Sequence, residues 1–208
     1  MGTAFEKVNP VKSLIPFKYQ MLLLAVILAL FVAAFMLYDL PGEYIKQGDR
    51  HYDAQEYDYA VLNYEQALRY DRENPEVYFK LARGEAARGE PLRAASAYTK
   101  AIEPGYTQLA AVYTGLGWTQ YSLAQYDDAA NSFERAIEII SANENQYTHT
   151  QLAEAYSGRG WVAIVQDGCE KAISYFDRAL TLDAEVSSLN QGIRQCDVEN
   201  ERGTDVFE

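Results

Sequence analysis

Two segments have the residue types of a ligand loop: YTGLGW at 113–118 and YSGRGW at 156–161, each a Gly-x-Gly followed by Trp. A Gly-rich turn cradles phosphate when it follows a strand and opens a helix, because its bare N–H groups then converge on the anion. Neither segment follows a strand-like stretch, which argues against nucleotide binding. The only histidines, His51 and His149, have no metal-ligand spacing between them. No Ser-His-Asp or Cys-His order is present, and the pair Asp127-Asp128 suits a helix N-terminus, where negative charge is favoured. The expectation is therefore no catalytic residue, no metal, no cofactor and no small-molecule substrate. Cys169 and Cys196 are left as a possible pair, either bridged or two buried thiols.

Charge narrows the partners. Thirty Asp and Glu against 18 Lys and Arg give a net charge of −12. Nucleic acid is excluded as a partner, since it requires a cationic surface that displaces counterions. The few basic residues near the start (Lys7, Lys12 and Lys18 against Glu6) precede an apolar run. Met21 to Tyr38 has no charge, and a length near the roughly 20 residues that cross a bilayer core. Tyr19 and Tyr38 bracket it as interfacial aromatics do. This predicts a short basic segment over 1–19 and a transmembrane helix over 20–38 in contact with lipid. Val32-Ala33-Ala34 resembles a signal-peptide cleavage site, but the run exceeds the usual signal core, so an uncleaved anchor is the expectation. The positive-inside bias puts the N-terminus in the cytoplasm and the remainder on the periplasmic or extracytoplasmic side. Glu6 stands where a myristoylation signal carries Ser or Thr. Pro41-Gly42 is expected to break the helix, and no long linker follows. The outer domain, and its protein partners, are expected in or at the membrane.

From residue 41 the chain is helical and repetitive. Four segments carry an Ala, an aromatic four residues on, and a second Ala three further on. They are Ala60-Tyr64-Ala67, Ala94-Tyr98-Ala101, Ala129-Phe133-Ala136 and Ala172-Phe176-Ala179. Spacings of four and three put all three on one helical face. The second alanines recur after 34, 35 and 43 residues. Ahead of each triplet comes a helix with a small residue, Gly48, Ala82, Gly117 or Gly160, preceded four residues earlier by Tyr44, Tyr78, Tyr113 or Tyr156. This pattern resembles the tetratricopeptide repeat (TPR), a pair of helices per 34 residues. The resemblance implies an all-α solenoid of four repeats (about 41–74, 75–108, 110–143 and 153–184) within 39–184. The family's usual proline after the second helix is replaced by Arg72, Tyr106, Ser141 and Ala184, with Pro75 and Pro104 nearby. About nine extra residues around SANENQYTH form either a loop or lengthened helix ends. A capping helix is expected over 185–199, with Val186, Leu189, Ile193 and Cys196 on one face, and a loose acidic tail over 200–208. If that helix and the one before it form a hairpin turning near Ala184, Cys169 and Cys196 come within a turn of facing each other.

The resemblance also says where a partner would bind. The places one residue past the small crossing residue look into the concave groove, the family's usual peptide surface. They are Asp49, Arg83, Trp118 and Trp161, with Ile45, Tyr52, Phe79, Tyr121 and Ile164 a turn away. The candidate groove residues are Tyr52, Phe79, Arg83, Trp118, Tyr121 and Trp161; packing of both Trp as scaffold is the competing reading. Of the basic clamp with which the family holds chaperone C-termini, only Lys80 is present. The expected function is a membrane-anchored interaction scaffold, an accessory or assembly subunit of a membrane complex. The alternative is a receptor that takes extended client segments in an aromatic groove.

Overall fold

A computed structural model describes residues 16–38, 40–103, 106–183, 185 and 189–204. The N-terminal segment 1–15, Pro104, Ala184, Val186 and the tail from 205 lie outside the described residues. Two units divide after Leu40.

In the first unit, α1 spans Phe17–Tyr38, 22 residues. Its large side chains are exposed on every side, from Met21 at 56% to Phe35 at 72%. Among the described residues no helix is long and apolar enough to cross a membrane. The expected span over 20–38 is thus not met by the described part of α1.

The second unit is a row of helices: α2 Leu40–Asp53, α3 Tyr57–Tyr70, α4 Pro75–Ala87, α5 Pro91–Ala101, α6 Leu109–Ser122, α7 Tyr126–Ala142, α8 His149–Gln166, α9 Cys169–Leu182 and α10 Leu189–Thr204. Pro41-Gly42 does not end a helix here; both lie in the first turn of α2, where proline's missing N–H leaves no bond unmade. Pro75 and Pro91 open α4 and α5 in the same way. Asn74 caps α4 by accepting from the Val77 N–H at 3.2 Å, and Thr148 with Gln151 forms a capping box on α8. The extra residues of the third interval are mostly helix: α7 runs to Ala142 and α8 starts at His149. The capping helix begins at Leu189, not 185, and continues through Thr204. The region read as a tail therefore stays helical over 200–204.

Within each repeat the turn between the two helices carries one left-handed residue: Gln55, Gly89, Ala124 and Gly168. Gln55, Gly89 and Ala124 each stand five residues before the first triplet alanine, and Gly168 four before it, so Gln55 and Ala124 hold a backbone conformation that glycine adopts without strain.

The eight triplet alanines and Ala82 are fully buried, and Tyr64, Tyr98, Phe133 and Phe176 nearly so. Each ring lies on the small residues of neighbouring first helices. A Cβ on Gly48 would come 2.5 Å from the Tyr64 ring, and one on Gly160 equally close to Phe176. Phe133 is held between Gly117 of its own repeat and Gly158 of the next. Glycines at both contacts let the helix axes approach until the ring fills the space between them.

Two buried charges tie first helices to second ones, α4 to α5 and α8 to α7. Glu85, 2% exposed, takes Arg93 Nε at 2.9 Å, while its Oε2 stands 3.5 Å from Arg88 Nη1 without a hydrogen bond. Arg159, the middle residue of the second Gly-x-Gly, donates to Glu134 at 2.9 Å and lies over the Tyr175 ring. Cys169 and Cys196 are joined as a disulfide between α9 and α10, with Cα atoms 5.2 Å apart.

Candidate functional site

First helices α4, α6 and α8 line a cavity of about 790 Å³. Their sequence explains its floor. Small residues at Ala110, Ala111, Thr114 and Gly115 leave room above α6, and Phe79, Tyr98 and Trp118 supply the aromatic walls. Gly115 is bare because Tyr98 occupies the space of its Cβ, 2.5 Å away. Burial raises the Tyr98 hydroxyl to about 12, so it stays protonated and neutral.

The expected groove residues divide. Phe79, Arg83 and Trp118 line the cavity. Tyr52 reaches it indirectly, its ring lying under the Arg83 guanidinium at 4.6 Å, with Phe79 5.8 Å from the same cation. Tyr121 and Trp161 are not among its lining residues; they meet edge to face at 6.4 Å, and Trp161 packs on Phe176. Trp118 has both roles, since it also contacts Phe133 at 5.3 Å. Lys80, the one match to the family's clamp, is engaged by both Asp49 oxygens at 2.9 Å. Asp49 also accepts from the Tyr64 hydroxyl at 2.9 Å.

The far wall is acidic. Glu154, Asp183 and Glu185 line it with Thr150 and Gln151. Asp183 accepts from Thr150 Oγ1 at 2.5 Å and from the Glu185 N–H at 2.9 Å. These bonds hold its carboxyl below the usual range. Glu154 is accessible to solvent, yet protein on the concave side desolvates it, and this, followed by the Asp183 charge, raises its carboxyl. Sequence reasoning missed this wall. Glu154 was in reach, because it stands six residues before its crossing glycine, as Ala111 does in the third repeat. Asp183 and Glu185 were not, because they lie after α9, in the segment leading to α10, where no first-helix offset points to the groove. Among the described residues no group of His, Cys, Asp and Glu is placed to hold a metal ion.

Comparison with known proteins places two of these repeats in a family. Residues 48–83 match the family described as TPR repeat, and residues 110–143 the one described as tetratricopeptide repeat. Among curated proteins none matches this sequence. Solved structures share the fold. BtubC (BKLC) from P. vanneervenii is 27% identical with a TM-score of 0.64, the match covering 70% of this chain and 63% of that one. MamA is 22% identical, TM-score 0.60, over 74% of this chain and 84% of that one. Pseudomonas aeruginosa pilF is 19% identical, TM-score 0.65, over 80% and 71%. Residues 48–83 and 110–143 are thus tetratricopeptide repeats, set in an all-α solenoid of the fold these structures share.

Proposed function

We propose that this chain is a membrane-anchored scaffold for protein–protein interaction, an accessory or assembly subunit of a membrane protein complex. The repeats support protein partners. The observation that carries the membrane half is α1, whose described apolar side chains stand exposed from Met21 to Phe35 with no charge among them. A helix apolar all round needs cover, and a bilayer or the helices of a membrane partner supply it. The disulfide between Cys169 and Cys196 supports an extracytoplasmic repeat domain, since such bonds persist in oxidising compartments.

The test is purification of the intact chain from its native membrane in mild detergent, with quantitative mass spectrometry of what accompanies it. A few partners at constant ratio are expected, retained by a Trp118→Ala, Trp161→Ala double variant. Recovery of the chain from the soluble fraction without partners would sink the proposal. Protease added outside the cytoplasmic membrane should degrade the repeats; protection there would reverse the proposed topology. A second reading, capture of extended client segments, is favoured by the aromatic cavity of Phe79, Tyr98 and Trp118. It predicts a broad client set that is lost with Trp118.

A further inference from the structure

The cavity has two electrostatic poles. On the α4 side stands Arg83, exposed, stacked against Tyr52 and Phe79, and without an ion-pair partner among the described residues. Stacking on two rings fixes where the guanidinium points without using any of its N–H donors. On the α8 side stand Glu154, Asp183 and Glu185, with no cation paired to them among the described residues. Between the poles lie Trp118 and the bare backbone of Gly115. Outside this cavity carboxylates and cations pair: Asp49 with Lys80 further along the groove, Glu65 and Glu85 with Arg93, Glu134 with Arg159. The lining of the cavity keeps its charges apart instead.

Resting on the groove reading above, we infer that the occupant is an extended segment of a partner protein. It carries an acidic residue for Arg83, an apolar or aromatic residue over Trp118, and a basic residue for the Glu154 wall. Charge complementarity selects this chemistry: a wholly acidic segment would be repelled at α8 and a wholly basic one at Arg83. The spacing follows from the helices. Two interaxial steps, α4 to α6 to α8, measure about 16–20 Å, and an extended chain advances about 3.3 Å per residue. The acidic and basic residues therefore stand about five or six positions apart.

The probes are three fluorescent nine-residue peptides with a central Phe and charged residues five positions apart: one Asp and one Lys, two Asp, or two Lys. Binding is measured to the full chain in neutral detergent at low salt. The mixed peptide is expected to bind tightest, by roughly three- to tenfold over either other, the range of one or two partly screened ion pairs. Arg83→Glu should make the two-Lys peptide the best ligand, and Glu154→Lys should weaken the mixed one. Both residues are exposed, so neither variant endangers the fold. Ala111→Trp, which fills the cavity without removing a packed side chain, should abolish binding of all three.

Equal binding of all three, blocked by Ala111→Trp and indifferent to both charge variants, would overturn the charge reading and leave the groove reading standing. No binding of any peptide would overturn both. Self-association lost in Arg83→Glu would put a second copy in the cavity and overturn the peptide reading.

Discussion

At the scale of the residue, Glu85 shows a local cost that the repeat tolerates. Its carboxylate is almost wholly buried, one oxygen lacks a hydrogen bond, and Arg93 and Arg88 stand beside it. Desolvation outweighs the two cations, and the carboxyl is raised above its usual value near 4.5. The sign follows from linkage: the stability this group contributes is fully present below about 4.5 and is lost as pH rises through the raised folded value. In Glu85→Gln the pH dependence disappears, and Gln does not carry the cost of burying a charge. At pH 7 the variant should be as stable as wild type, or more so by about 1–3 kcal/mol; near pH 4 that advantage should vanish. Chemical denaturation of the full chain at the two pH values checks this. A variant much weaker than wild type at pH 7 would mean that the ion pairs with Arg93 and Arg88 outweigh desolvation. Nothing in the sequence marked Glu85 as buried, because a lone acid in a polar stretch looks like any solvated one. Arg83, two residues earlier, was legible through its fixed offset from the crossing residue Ala82.

At the scale of the element, the repeat is legible because two helices in contact need small residues at fixed places. The Ala-aromatic-Ala triplets and the crossing glycines follow directly from that need, and the helix pairs lie where they point. What the sequence left open is how close neighbouring repeats come. Gly115 and Gly158 have no role within their own helices; their reason is the ring of the preceding repeat, Tyr98 or Phe133, a contact across some 20 residues. The lengthening of α7 and α8 was equally hidden, since SANENQYTH suits a loop and a helix end alike. Gly158→Ala tests the contact. Alanine gains about 1 kcal/mol of helix propensity, but its Cβ would clash with the edge of the Phe133 ring. Phe133 is fully buried and already rests on Gly117, so it has nowhere to retreat. Overpacking should win, with a net loss of about 1–3 kcal/mol in urea unfolding. A gain in stability would show that the ring has room to move.

At the scale of the whole molecule, a solenoid has no central core, and each repeat is held by its neighbours alone. Among the described residues four separate buried clusters replace a single one, each built around one of the triplet rings. The ends are then the weak points, because a terminal helix has one neighbour instead of two. The C-terminal end meets this with α10: Leu189 and Cys196 are fully buried on the last repeat, and Gly192 lies against Phe176. The disulfide fixes the arrangement across a sequence separation of 27, a closure that stabilises by roughly 3–4 kcal/mol. If repeats couple only to neighbours, that energy belongs to one end of the row. Reduction, or replacement of both cysteines by Ser, should raise amide exchange in α9 and α10 strongly and in α8 less. It should leave α3 to α6 unchanged, and with them the Arg83 side of the cavity. The acidic wall would loosen first, since Asp183 and Glu185 lie in the segment between α9 and α10. Hydrogen exchange followed by mass spectrometry, with and without reductant, resolves these regions. Uniform loss of protection along the chain would mean that the repeats unfold as one unit. In that case a redox change at the cap would act on the whole binding surface, and not on its acidic end alone.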